Sequence, residues 1–188
     1  MSTSTVLLAI IVGVAGYLIA IYNKFVSLQA GIDAAWSDID VQLKRRYNLI
    51  PALVNVVKGY KDYEAGTLEK IIEARKMSMD AKTPAEKSAA ESVLGASLGK
   101  LFALAEAYPD LKADSQFLNL QAELSGIEDA IQNSRRYYNA IVRDYNAKLK
   151  SFPDVLVANK YHFTPRDYFE LDESEAEAAR KMPEVDLS

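Results

Sequence analysis

The chain has 188 residues, with 22 Lys and Arg against 26 Asp and Glu, for a net charge of −4. That balance argues against a dedicated nucleic-acid binder, which carries a strong basic excess. Cysteine is absent and His162 is the only histidine, which excludes disulfides, thiol catalysis and any multi-histidine metal site.

No charged side chain occurs from Ser2 to Asn23, and Val6 to Tyr22 is almost wholly apolar. As a helix, such a run approaches the roughly 30 Å hydrocarbon core of a bilayer. Tyr22 is placed like an interfacial aromatic, and Lys24 closes the run. The pattern predicts a short tail over 1–4 and a single transmembrane anchor over 5–23. A cleaved signal peptide fits less well, because nothing basic precedes the apolar run and the residues after it read as continuing helix. Lys24 and the triplet Lys44-Arg45-Arg46 lie on the C-terminal side, so the positive-inside rule predicts the N-terminus outside the cell membrane and the helical domain in the cytoplasm. Ala9, Gly13, Gly16 and Ala20 share one face of the anchor. Such a stripe permits close helix contact in lipid, although Ala and Gly are frequent in any transmembrane helix.

Beyond the anchor the period is helical. Phe25, Leu28, Ile32, Trp36, Ile39 and Leu43, then Ile50, Leu53, Val57 and Tyr60, recur in steps of three and four. Pro51 removes the hydrogen bond to the Tyr47 carbonyl. The period resumes in phase, which predicts a kink rather than a break, in a first long helix that ends in a turn over Met77–Thr83. Thr83-Pro84-Ala85-Glu86 reads as a helix start with a capping box, and the second helix should reach about Ala107. A third starts near Asp114, with a seam of Phe117, Leu120, Leu124, Ile127, Ile131, Ser134, Tyr138, Ile141 and Tyr145. That seam is coiled-coil-like, and its partner is either the first helix or another chain. Phe152-Pro153 closes the helix.

After Pro153 a short helix or extended segment should pack its aromatics back onto the bundle. From Glu170 the chain is acidic, opposed only by Arg180 and Lys181, which predicts a disordered tail over 170–188. The fold expected is thus all-α: an N-terminal transmembrane helix, then an antiparallel, coiled-coil-like bundle of three to four long helices over 24–169. The dipeptide Tyr-Asn recurs at Tyr22, Tyr47, Tyr138 and Tyr145. Buried rings with hydroxyls at the bundle rim explain it better than a binding role.

Little chemistry is visible. A di-iron bundle needs Glu-x-x-His on two helices, which a lone histidine excludes. Asp38, Asp40, Glu123 and Glu128 could form a carboxylate-only site, but pairing with Arg45, Arg46, Arg135 and Arg136 or facing water suits them better. Ser134 has no histidine partner, and Gly95 and Gly99 lie in a helical pattern rather than a phosphate-cradling loop. Three consecutive basic residues on a helix span all its sides. At least one of Lys44, Arg45 and Arg46 should therefore make a structural ion pair, with lipid headgroups as the other reading. No cofactor or metal is expected, and no enzymatic activity.

Ala35-Trp36 followed by Val41-Gln42-Leu43-Lys44-Arg45-Arg46-Tyr47-Asn48-Leu49-Ile50-Pro51-Ala52-Leu53-Val54 resembles the signature of the LemA family. So do Tyr108-Pro109-Asp110-Leu111-Lys112-Ala113, Leu120-Gln121, Arg135, Arg136, Tyr138-Asn139, Tyr145-Asn146 and Phe152-Pro153. The resemblance implies a single N-terminal membrane helix with the N-terminus outside, a helical-bundle domain and no residue-level site to carry over. Two functions remain in view. One is a self-assembling scaffold at the membrane, in contact with lipid and other copies of itself. The other is an adaptor docking a membrane-protein partner such as a membrane protease.

Overall fold

The computed structural model describes residues 2–60 and 65–169. The expected acidic tail over 170–188 lies outside the described residues. The described residues form six helices and no strand: α1 (Thr3–Lys58), α2 (Ala65–Asp80), α3 (Pro84–Ala105), α4 (Pro109–Lys112), α5 (Ser115–Lys150) and α6 (Asp154–Lys160).

The apolar run and the first amphipathic stretch are one helix. α1 continues through Pro51 to Lys58, so the proline does not end it. The expected uninterrupted course to Met77 is corrected. Gly59 and Tyr60 close α1 with tight bonds to the carbonyls of Val56 and Val57, and a separate helix, α2, runs on to Asp80. The expected turn over Met77–Thr83 shrinks accordingly. α3 starts as expected: the Thr83 hydroxyl accepts from the Glu86 amide, and the Glu86 carboxylate accepts in return from the Thr83 amide. These reciprocal bonds satisfy donors that a helix start leaves open. A one-turn helix, α4, follows where only a terminator was expected. Asp114 caps α5, accepting from the amides of Gln116 and Phe117.

The described residues form two compact units, one of residues 2–39 with 134–168, the other of residues 40–60 and 65–133 with Phe169. α1 and α5 contribute to both. In the first unit the two helices run in opposite directions. Phe25 meets the Tyr145 ring at 5.9 Å, Gly31 lies against Ile141, and Trp36 meets Tyr138 at 5.5 Å. The core of this unit is Ile21, Phe25, Ile32, Ala35 and Ile39 against Tyr138, Val142, Tyr145 and Leu149. After α6 the aromatics return as expected: Phe163 stacks on Phe25 at 4.8 Å and Tyr161 sits 4.8 Å from Tyr22. His162 takes a left-handed φ of 57°, which lets the Phe163 amide reach the Ala158 carbonyl and close α6.

The second unit packs α2 and α3 against parts of α1 and α5. Leu43, Ile50, Leu53 and Val57 are buried with Leu68, Ile71, Leu94, Leu101, Phe117, Leu124 and Ile131. The expected α5 seam is therefore covered inside one chain rather than left for a second. In it Leu120, Ser134 and Ile141 are only half-buried, and Val142 takes the interior place expected of Ile141.

Candidate functional site

The polar centre of the second unit is built on Arg46. On α1 it falls in step with Leu43, Ile50 and Leu53, so helical geometry carries it inward, and it is 1% exposed. Its guanidinium donates to Glu91 of α3, itself 2% exposed, and to Glu128 of α5 at 2.6 Å. The neighbouring Tyr47 donates its hydroxyl to the same Glu91 carboxylate and lies 3.3 Å from the Ser78 carbonyl. Burial first, and the Glu91 charge second, push the Tyr47 phenol well above its ordinary range. Tyr47 is thus a neutral donor and cannot act as a base near neutral pH.

A second bond ties α2 to this centre. The Arg75 Nε donates to the Tyr47 carbonyl at 2.8 Å. Just past the end of α1, Tyr60 donates to Asp114 at 2.8 Å. That bond raises the Tyr60 phenol, and Asp114 is held below the usual carboxylate range by the Phe117 amide first and the Tyr60 hydroxyl second.

In the first unit, tyrosines anchor the segment after α6. Tyr138 and Tyr145 donate to the carbonyls of Asp167 and Thr164, at 2.9 and 3.1 Å. Asn146 bonds the Arg166 backbone in both directions. Burial raises both phenols. The tyrosines of these pairs bury their rings and tie down backbone, and Asn146 reaches the segment after α6.

The residues singled out by their sequence pattern thus disperse into structural partners. Arg46 is the member of the basic triplet that is buried in ion pairs, while Lys44 and Arg45 are exposed and Arg45 bonds to Gln42 in its own helix. Of the four carboxylates, Glu128 pairs with Arg46 and Asp40 with Lys87 at 3.2 Å, while Asp38 and Glu123 face water. Among the described residues no group of three or more acidic or histidine side chains could hold a metal. Ala9, Gly13, Gly16 and Ala20 all lie on the exposed part of α1, and nothing among the described residues stands within 4 Å of a Cβ at Gly13 or Gly16. Glu91 is the partner that the sequence pattern did not bring forward. Its signal was legible, because it stands in phase with Leu94, Leu98, Leu101 and Ala105, and a carboxylate in an apolar stripe asks for a cation.

α1 also carries the chain's apolar span. Its most apolar window has a mean hydropathy of 2.4 and is 6% buried, which makes it long and apolar enough to cross a membrane. The LemA family model matches residues 35–187. The chain belongs to the LemA family. Protein LemA of Metamycoplasma hominis is 34% identical over 158 residues, 81% of this chain and 70% of that protein. Magnetosome protein MamQ of Magnetospirillum gryphiswaldense is 25% identical over 174 residues, 79% of this chain. Magnetosome protein MamQ 2 of Paramagnetospirillum magneticum is 24% identical over 175 residues, again 79% of this chain. The chain spans 64% of each magnetosome protein's length. The family match places the Arg46 centre, Pro51 and Tyr60 inside the shared region and leaves the apolar span before it.

Proposed function

We propose that this LemA-family protein is a membrane-anchored scaffold whose helical part is held at the bilayer by α1 and whose copies associate through the anchor. The observation that supports it is the exposure of the whole span up to Ala20, with the small-residue face of Gly13 and Gly16 uncovered by the other described residues. In lipid such a face allows backbones to approach closely. The α5 seam is already buried within the chain, so assembly is routed to the anchor. The Arg46 centre serves as an internal brace and has no catalytic role. The N-terminus lies outside and the helical part on the cytoplasmic side, an orientation that now rests on Lys24, Lys44 and Arg45, because Arg46 is used inside.

A second reading, an adaptor for a membrane protein, is favoured by one feature. A groove of about 470 Å³ between α3 and α5 is flanked by Gly95, Gly99, Gln121 and Ser125, and a Cβ at either glycine would meet open space. Two differently tagged copies co-expressed in one membrane separate the readings. Recovery of one tag with the other supports the scaffold. Recovery of single copies with a stoichiometric foreign protein supports the adaptor.

A further inference from the structure

α6 lies against the membrane end of the anchor. Leu18, Ile19 and Tyr22 of α1 and Leu156, Lys160 and Tyr161 of α6 and its C-cap enclose a cleft of about 340 Å³ within the first unit. Leu18 and Ile19 belong to the apolar span, roughly one helical turn inside Tyr22. A cleft with one wall at that depth opens onto lipid rather than water. Its lining is mostly apolar, and the stem of Lys160 covers apolar surface while its Nζ lies 5.9 Å from the centroid of the Tyr161 ring. The rim is also apolar. Leu156 is 56% exposed and Tyr161 53%, and Phe152 just before α6 is 81% exposed. Asp154, the carboxylate of α6, is already paired with Lys148 at 2.7 Å, so the Lys160 charge is not opposed from within its own helix.

We infer that this cleft seats one acyl chain of an anionic phospholipid from the bilayer that α1 crosses, with Lys160 meeting the headgroup. The inference rests on the membrane-anchored reading above. The occupant follows from the position and chemistry of the cleft. An apolar slot beside a membrane span needs hydrocarbon, and Lys160, with Lys24 at the same end of the anchor, favours an anionic headgroup.

The chain's lack of cysteine allows a clean test on full-length protein. Leu156→Cys carries a fluorophore in the cleft, and Met79→Cys, 51% exposed on α2, carries a reference. Both proteins are reconstituted into phosphatidylcholine vesicles with and without phosphatidylglycerol, and doxyl-labelled phospholipid is the quencher. Flotation of the vesicles is checked first. If the protein does not float, the anchored reading fails and the cleft inference fails with it. Given flotation, the inference expects several-fold stronger quenching at position 156 than at 79. It also expects further quenching when the doxyl lipid is phosphatidylglycerol, and loss of that gain in Lys160→Gln. Equal quenching at the two positions in a protein that floats overturns the cleft alone. So does a gain that survives Lys160→Gln. Unlabelled wild-type protein released from the same vesicles should retain a phospholipid in native mass spectrometry. Its absence there also overturns the inference.

Discussion

The guanidinium of Arg75 donates to the Tyr47 carbonyl at 2.8 Å, and Tyr47 is the residue whose carbonyl Pro51 leaves without its helical donor. Proline has no N–H to give to the residue four positions back. A buried carbonyl left bare costs free energy comparable to a lost hydrogen bond. Here α2 supplies the missing donor from outside the helix, which explains how α1 can carry Pro51 and continue to Lys58. Arg75→Leu should therefore destabilise the protein by about 1.5–3 kcal/mol, as expected for a hydrogen bond from a charged group. In a Pro51→Ala background the backbone regains its own donor, and the cost of Arg75→Leu should fall. A double-mutant cycle followed by urea unfolding measures the coupling, and equal costs in both backgrounds would refute it.

The Arg46–Glu91 pair should show the asymmetry of buried charges. Arg46→Met strands a carboxylate beside the Tyr47 hydroxyl and should cost roughly 3–5 kcal/mol. Glu91→Leu should also destabilise, because it leaves Arg46 only Glu128 and takes the Glu91 acceptor from the Tyr47 hydroxyl. The double substitution should be less damaging than either single one, because Glu128 is 43% exposed at its side chain and can return to water. Thermal unfolding of the three variants tests the order.

Asp114 links stability to pH. Its carboxyl is held below the ordinary range by the Phe117 amide and the Tyr60 hydroxyl. A depressed folded value means that the contribution is fully present above the unfolded value of about 4 and is lost as pH falls through the folded one. The melting temperature of the wild type should therefore drop on acidification below about pH 4. Asp114→Ala should lower it at neutral pH and flatten that part of the acid dependence, and Tyr60→Phe should lie between. An Asp114→Ala profile that parallels the wild type would contradict the assignment.

The fold was legible where pattern and chemistry agreed. The capping box at Thr83, the α5 seam and the return of Tyr161 and Phe163 onto α1 all follow from residue type and period. The break after Lys58 does not, because Gly59 alone is a weak stop when Leu68 and Ile71 resume an apolar pattern beyond it. Ile141 and Val142 exchange roles because a strict three-four count drifts against a real helix by a fraction of a residue per turn. At the polar centre, Arg46 and Glu128 are visible in advance as a cation and an acid that suit each other. Glu91 was half legible: its phase with Leu94, Leu98 and Leu101 marks a carboxylate that needs a cation, but a sequence does not say which stripe will face which, so its partner Arg46 could not be named.

The central claim is that copies of this chain associate through the anchor. The direct test is the mass of the full-length protein in mild detergent, by size exclusion with light scattering, beside the full-length Gly13→Leu/Gly16→Leu variant. Both glycines face open space among the described residues of the single chain, so leucine there leaves the fold intact and acts only on contacts between chains. The account predicts a defined oligomer for the wild type and a monomer for the variant. A monomeric wild type, or an oligomer that the variant leaves unchanged, would contradict it.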